Sequence, residues 1–477
     1  MLDPLSRLSA TEVVGLLRAG EVSPVELVDI ALRRIAEVEP LINALPIVCS
    51  DRARERARAI ADSRGGEDKS PHYLWGIPIA VKDNVDVEGV RTTHGSMIYK
   101  NRVSARSDIV VETLERNGAI VIAKSNLPEF AAGGNTFNDV FGATLNPWNR
   151  RLTAGGSSGG SAAALAAGEV WLATGNDLAG SIRVPASFCS VVGLRPSPGR
   201  VARGPRKQMF SQLSVEGPMA RCVADVALML DAQSDYSPSD PISLPKPDIP
   251  FVRCLGRPIN GRIAFSEDLG IVPVDAEVAG ICRSALAGLS DLGMIVEEAR
   301  PDLSDAEQIF QVLRSALFVG RVGHLLEKHS AEINPDVVAN AQMGLSLEMA
   351  DLSAAEEARD ALYARMVQFF TRYDFLVCPT SPLQPFDVDL RYPGELMGRP
   401  FHSYVGWMAL TFAITVASCP SISLPCGFTR TGAPVGIQIV AAPRSEGRLL
   451  TMADALEQRL DLKRRVPIEP MGDPKRV

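Results

Sequence analysis

Between Thr153 and Gly168 the chain carries no charged residue, and the first half of that stretch is a glycine-serine run: Gly155, Gly156, Ser157, Ser158, Gly159, Gly160, Ser161. A segment this poor in charge belongs in an interior, so the rest of the chain has to be built around it. Glycines on both sides of a serine let the backbone take positive φ and let another group approach closely. A second tight turn follows at Gly175, Asn176, Asp177, Leu178, Ala179, Gly180, Ser181. Hydroxyls and backbone N–H groups presented together are what attack on a carbonyl requires, a nucleophile and donors for the oxyanion. Three readings fit the run itself. It is the lead-in loop of a buried helix over 162–167; or a phosphate cradle, although it lacks the Lys-Ser/Thr ending of a P-loop; or a nucleophile elbow, since Gly155 to Gly159 fits G-x-S-x-G.

With 477 residues, 46% hydrophobic and 22% charged, the chain can bury a large core. Its net charge of −7 gives no basic field, so no nucleic-acid partner is expected. Met1 to Ala10 carries Asp3 and Arg7 without an apolar core, unlike a secretory leader. The longest uncharged run, 400–429, is broken by Pro420 and Pro425, so no membrane span is expected there. The eight cysteines show no C-x-x-C pair and read as buried apolar residues of a reducing, cytoplasmic compartment. None of the five histidines stands at a metal-ligand spacing, and no metal is expected.

Along the chain, Ser9 with Glu12, and Ser23 with Pro24 and Glu26, predict capped N-terminal helices, with Gly20 closing the first. A third helix is predicted over 51–63. From Leu74 the pattern changes to short apolar runs between turns. Strand 77–81 runs into Lys82, helix 107–117 follows, and strand 119–123 runs into Lys124. This alternation predicts an α/β fold, helices covering a sheet. After a Ser/Pro/Asp-rich excursion over 231–250 the same pattern returns: strand 262–266, helix 275–292, strand 294–297, broken helix over 303–370, strand 375–378, strands 421–424 and 435–440, and a last helix 445–458. One large α/β/α domain over 1–477 is therefore expected, with a helical segment (1–70), a core (74–230), a variable helical and loop region (231–404) and a closing part of the sheet (405–477).

Four linked motifs add a resemblance. Gly76-Ile77-Pro78-Ile79-Ala80-Val81-Lys82-Asp83, Lys124-Ser125-Asn126-Leu127-Pro128-Glu129-Phe130-Ala131, the Gly155 to Ala164 run, and Gly180-Ser181-Ile182-Arg183-Val184-Pro185-Ala186 are similar, in order and spacing, to the amidase signature family. The resemblance implies a single α/β/α domain around a mixed sheet and a Ser-cisSer-Lys triad. Ser181 is then the acyl nucleophile, Ser157 the bridging serine after a cis peptide, and Lys82 the base. It implies an oxyanion hole from the N–H groups of Leu178, Ala179, Gly180 and Ser181. It also places Glu129, Phe130 and Phe137 near the acyl pocket. No cofactor is implied. For Lys82 to accept a proton near neutral pH, its amine must be pushed well below about 10.4, and burial at a strand end has the right sign.

Two departures stand out. Ala179 replaces a glycine of the family pattern, which strains the turn if that position needs positive φ. Val184 stands where the glutaminase subunits of tRNA amidotransferases commonly carry glutamine. Asp177 and Arg183 are expected to brace the turn, and Cys189 to sit in the core. The expected function is hydrolysis of a small, uncharged or partly apolar amide, with ester or carbamate cleavage as related activities, by a monomer or homodimer. The alternatives are a glutaminase subunit of a tRNA-dependent amidotransferase and a non-catalytic glycine-loop binding protein. Segments 128–141, 200–213, 313–349 and 379–404 are expected to set the substrate. Met209, Phe210, Phe318, Met343 and Trp407 either line an apolar pocket for it or belong to the core.

Overall fold

A computed structural model describes residues 2–63, 72–205, 208–462 and 465–471. Its centre is an 11-stranded sheet. In chain order the strands are β1 (Ile47–Val48), β2 (Pro78–Lys82), β3 (Ile120–Ser125), β4 (Leu172–Asp177), β5 (Val192–Arg195), β6 (Val215–Ala220), β7 (Gly261–Phe265), β8 (Met294–Glu298), β9 (Phe375–Pro379), β10 (Ser421–Phe428) and β11 (Pro434–Ala441). Across the sheet they run β1-β3-β2-β4-β6-β5-β10-β11-β9-β7-β8. Strands β3, β2 and β4 are parallel, as are β9, β7 and β8, and the strands between them are antiparallel. The expected mixed α/β sheet is present, and strands from both sides of the 231–250 excursion share it.

The helices follow from local signals. Helix α1 (Ala10–Ala19) starts on the Ser9/Glu12 capping box and ends at Gly20 with φ 77°. Helix α2 (Pro24–Ile42) starts with proline in its first turn and is capped by the Ser23 hydroxyl. Then come α3 (Ser50–Asp62), α4 (Ile109–Arg116), α5 (Gly159–Ala167), α6 (Arg183–Cys189), α7 (Val223–Gln233) and α8 (Ala276–Ala285). The helix predicted over 275–292 stops early because Gly288 turns left-handed at φ 76°, and only a short 3-10 turn follows. The predicted broken helix over 303–370 is α9 (Ala306–His329), α10 (Pro335–Leu345) and α11 (Met349–Phe369). Helix α12 (Ala409–Val416), fully buried, falls in the uncharged run, and α13 (Glu446–Leu460) ends the fold. Among the described residues α9 is the one helix long and apolar enough to match a membrane span by length and composition; half of its most apolar window is buried within the fold.

The charge-free stretch sits in the middle. Every residue of α5 is buried, and at Gly160 a Cβ would lie 2.4 Å from the Asn126 nitrogen and 2.5 Å from the Ala44 oxygen. Only glycine lets that helix start so close to the β3 end.

Candidate active site

Parallel strands β2 and β4 are neighbours, so their carboxyl ends open on one edge of the sheet, where α/β proteins place their sites. Lys82 closes β2 and is fully buried. Its Nζ has three neutral oxygens within hydrogen-bond distance: Ser157 Oγ at 2.7 Å, Ser158 Oγ at 2.9 Å and Asn176 Oδ1 at 2.8 Å. Asn176 is held the right way round because its Nδ2 donates to Asn84 Oδ1 at 2.9 Å. Burial pushes the Lys82 amine down to about 7, against the pull of the distant Glu216 and Asp177 carboxylates. A neutral amine has two N–H donors and one lone pair. Asn176 Oδ1 can only accept, so the lone pair must face a serine hydroxyl.

The loop before α5 presents Ser157, whose peptide bond with Gly156 is cis, as the family likeness implied. The turn after β4 presents Ser181. Both serines line one cavity of about 400 Å³, together with Leu178, Ala179 and Asn176. The two loops are tied to each other: the Ser158 N–H donates to the Ser181 carbonyl at 3.0 Å.

A buried carboxylate shapes the turn that carries Ser181. Asp177 Oδ1 accepts from the Gly180 N–H at 2.9 Å and from Arg183 Nη2 at 2.8 Å; Oδ2 accepts from the Ile182 N–H at 3.2 Å and from Arg183 Nε at 3.0 Å. Although burial opposes its ionisation, the Arg183 guanidinium holds the Asp177 carboxyl well below the usual carboxylate range. Arg183 continues to the Thr411 carbonyl at 3.0 Å and Gln438 Oε1 at 2.5 Å. Asp177 and Arg183 therefore brace the turn, as expected. Cys189 is buried, and burial pushes its thiol up.

Of the four N–H groups expected to form an oxyanion hole, that of Gly180 donates to Asp177 Oδ1. The N–H groups of Leu178, Ala179 and Ser181 meet no acceptor among the described residues. Ala179 is not among the residues with positive φ, so its methyl adds no strain and only narrows the cavity. Gly180 is where glycine is required: φ is 113°, and a Cβ would lie 2.3 Å from Thr411 Oγ1.

Of the three residues placed near the acyl pocket, only Phe130 lines the cavity. Glu129 and Phe137 face a neighbouring hollow beside Asn334 and Pro335. There the Glu129 carboxylate accepts from the Asn334 N–H at 2.6 Å, so its work is to fix the α10 start. Phe318 also lines the cavity, but Trp407 is core, stacked on Phe188 at 6.1 Å, while Phe210 and Met343 are exposed. Each of the four segments expected to set the substrate reaches the wall, with Ala131, Gly133, Arg203, Ser211, Leu317 and Tyr404 among them. Sequence reasoning missed Ser158 and Asn176 as Lys82 partners, and missed the charged side of the wall, where Arg102, Arg203, Arg314 and Arg321 stand with Asp86 and Asp108. Among the described residues no group of three or more His, Cys, Asp or Glu is arranged to hold a metal.

The family model for Amidase matches residues 26–450. The chain belongs to the amidase signature family. It is 35% identical to a subunit of the glutamyl-tRNA(Gln) amidotransferase of Thermodesulfovibrio yellowstonii, over 95% of this chain and 97% of that one. It is 33% identical to an acylamidase of Rhodococcus erythropolis, over 94% and 95%. The crystal structure of a bacterial aryl acylamidase of the amidase signature family superposes with a TM-score of 0.89 at 27% identity, covering 98% of this chain and all of that one. Membership makes this chain an enzyme of amide C–N bond hydrolysis.

Proposed function

We propose that this enzyme hydrolyses a small amide through a seryl acyl-enzyme, with Ser181 as nucleophile, Ser157 as proton relay and Lys82 as base. The observation that carries the reading is the buried Lys82 amine, 2.7 Å from the Oγ of Ser157, which lines one cavity with Ser181. In the first half, Ser181 Oγ bonds to the carbonyl carbon while its proton moves to Ser157 Oγ and the Ser157 proton moves to Lys82 Nζ. The oxyanion takes hydrogen bonds from the N–H groups of Leu178, Ala179 and Ser181. On collapse the C–N bond breaks, and the leaving nitrogen regains the proton from the Lys82 ammonium through Ser157. Water then attacks the acyl-enzyme, passes its proton along the same path, and releases the acid and Ser181. The same steps extend to esters and carbamates. Fluorophosphonate labelling tests this reading: the wild type gains one adduct by intact mass, and Ser181→Ala gains none. Equal labelling of the two proteins overturns it.

A second reading is a glutaminase subunit of a tRNA-dependent amidotransferase, which the 35% identity to a chain of such an enzyme favours. That relative reopens the matter of a nucleic-acid partner, which composition argued against. The discriminating assay uses the isolated chain. Hydrolysis of aryl or aliphatic amides without partners supports the first reading, whereas activity on glutamine alone, raised by a copurifying protein, supports the second.

A further inference from the structure

Helix α9 sends Arg314, Phe318 and Arg321 to the cavity wall at positions i, i+4 and i+7, one face of the helix. Arg314 is the unusual one. It is 1% exposed, and its Nη1 donates to Gln311 Oε1 at 3.1 Å, but its Nη2 is buried without a hydrogen-bond acceptor among the described residues. Aromatic faces surround it instead: its guanidinium carbon lies 4.8 Å from the Tyr404 ring centre, 5.4 Å from Phe318 and 5.9 Å from Phe310. Rings over its faces favour the cation, but they leave the Nη2 N–H groups at the edge of the guanidinium plane without an acceptor among the described residues.

The other charges of the wall do not supply that edge. Asp86 is bound bidentately by Arg102, at 2.7 and 2.6 Å, and Asp108 accepts from the Asp86 N–H at 3.0 Å. Arg203 donates to the carbonyls of Met209, Ser211 and Ser214. Among the described residues four guanidiniums thus share the wall with two carboxylates, neither of which is bonded to Arg314. A buried charge without a counter-ion is costly, and a ligand anion at the cavity would offset that cost.

Resting on the hydrolase reading above, we infer that the substrate is a carboxylate-bearing amide whose carboxylate takes the free edge of Arg314 while its scissile carbonyl lies at Ser181. This replaces the uncharged amide expected from the sequence with a partly apolar one that carries a negative charge. The apolar part of the wall, Phe130, Leu317, Phe318 and Met408, receives the chain between the two groups.

The test compares kcat/KM for acids and their methyl esters on the whole enzyme. Mono-4-nitroanilides of succinate, glutarate and adipate place the carboxylate on the acyl side, and N-acetyl-4-aminobenzoate places it on the leaving side. In the wild type at least one acid exceeds its ester about tenfold or more, mainly through KM, the size expected for a hydrogen bond between charged groups. Arg314→Met brings that ratio near one, and Arg314→Lys keeps part of it. A role confined to packing lowers acid and ester alike and leaves the ratio unchanged, which overturns the inference, as does a wild-type ratio at or below one in every pair. If Arg314→Met does not fold, the wild-type pairs together with Arg314→Lys decide. Fluorophosphonate labelling is run alongside: labelled protein with no acid preference sinks the substrate inference alone, and unlabelled protein sinks the hydrolase reading with it.

Discussion

Lys82 is the last residue of β2 and Lys124 the last but one of its parallel neighbour β3, and both are fully buried, yet they have different company. Lys124 has a carboxylate: Asp83 Oδ1 lies 3.4 Å away, and its Nζ also donates to the Val85 carbonyl and Thr92 Oγ1, both at 2.8 Å. Lys82 has Ser157, Ser158 and Asn176, neutral oxygens all, and no carboxylate at ion-pair distance among the described residues. Burial pushes both amines down, but at Lys124 the adjacent Asp83 pulls back directly. One position in the sequence thus yields a structural ion pair, and its neighbour yields an amine able to exchange protons near neutral pH.

The largest effect that separates the two is Lys82→Met, which keeps the methylene volume and removes the base. We expect kcat/KM on an aryl amide to fall about 10³-fold or more, with a thermal midpoint equal to or above the wild type's, because a desolvated amine has gone. A matching loss of stability would put Lys82 with Lys124. The mirror experiment is Lys124→Met, which strands Asp83: denaturant unfolding should show a loss of about 3–5 kcal/mol, and adding Asp83→Asn should return much of it. If Lys124→Met is as stable as the wild type, the ion pair is not structural.

The contrast also has a pH signature. Below about 7 Lys82 is protonated in both the native and the unfolded chain. From there to the ordinary lysine value near 10.4 only the unfolded chain holds that proton, so stability rises with pH across that window. The rise attributable to Lys82 is on the order of 5 kcal/mol, and Lys82→Met should flatten it in urea titrations at several pH values. Asn176→Asp puts a carboxylate where the amide oxygen now lies 2.8 Å from Nζ, giving Lys82 the company of Lys124. The acid limb of its activity profile should then move up by at least about one pH unit, cutting activity at neutral pH about tenfold and recovering it in alkali. The smallest expected change is Glu129→Gln, which acts on the α10 start and not the cavity. Its kcat/KM should stay within about twofold of the wild type; a hundredfold loss would restore Glu129 to the site.

Much of the site was legible in the chain because its signals are local. A strand that ends in lysine, a glycine-serine loop and a turn ending in serine each announce themselves, and the parallel pairing of β2 with β4 then brings them together. The fold was legible for the same reason, with misses where a single residue overrode a pattern. Gly288 cut α8 short. Pro425 did not stop β10, because the strand shifts register there and continues to Phe428. Partners from distant segments were not legible. Nothing in the sequence says that Asp177 claims the Gly180 N–H, or that Glu129 turns toward Asn334. Arg314 left a faint trace, a charge four residues before Phe318 in the stretch 308–326 of α9, where Arg321 is the other charge. What the Arg314 charge faces depends on how α9 packs against α10, α11 and α12.

The central claim is that a neutral Lys82, acting through Ser157, activates Ser181. The most direct measurement is the rate of fluorophosphonate labelling of Ser181 as a function of pH. In the wild type that rate should rise tenfold per unit on the acid side and level off above about 7, the limb should move upward in Asn176→Asp, and it should be absent in a far slower Lys82→Met. A labelling rate that is flat across the acid range, or equal in the wild type and Lys82→Met, would contradict the account.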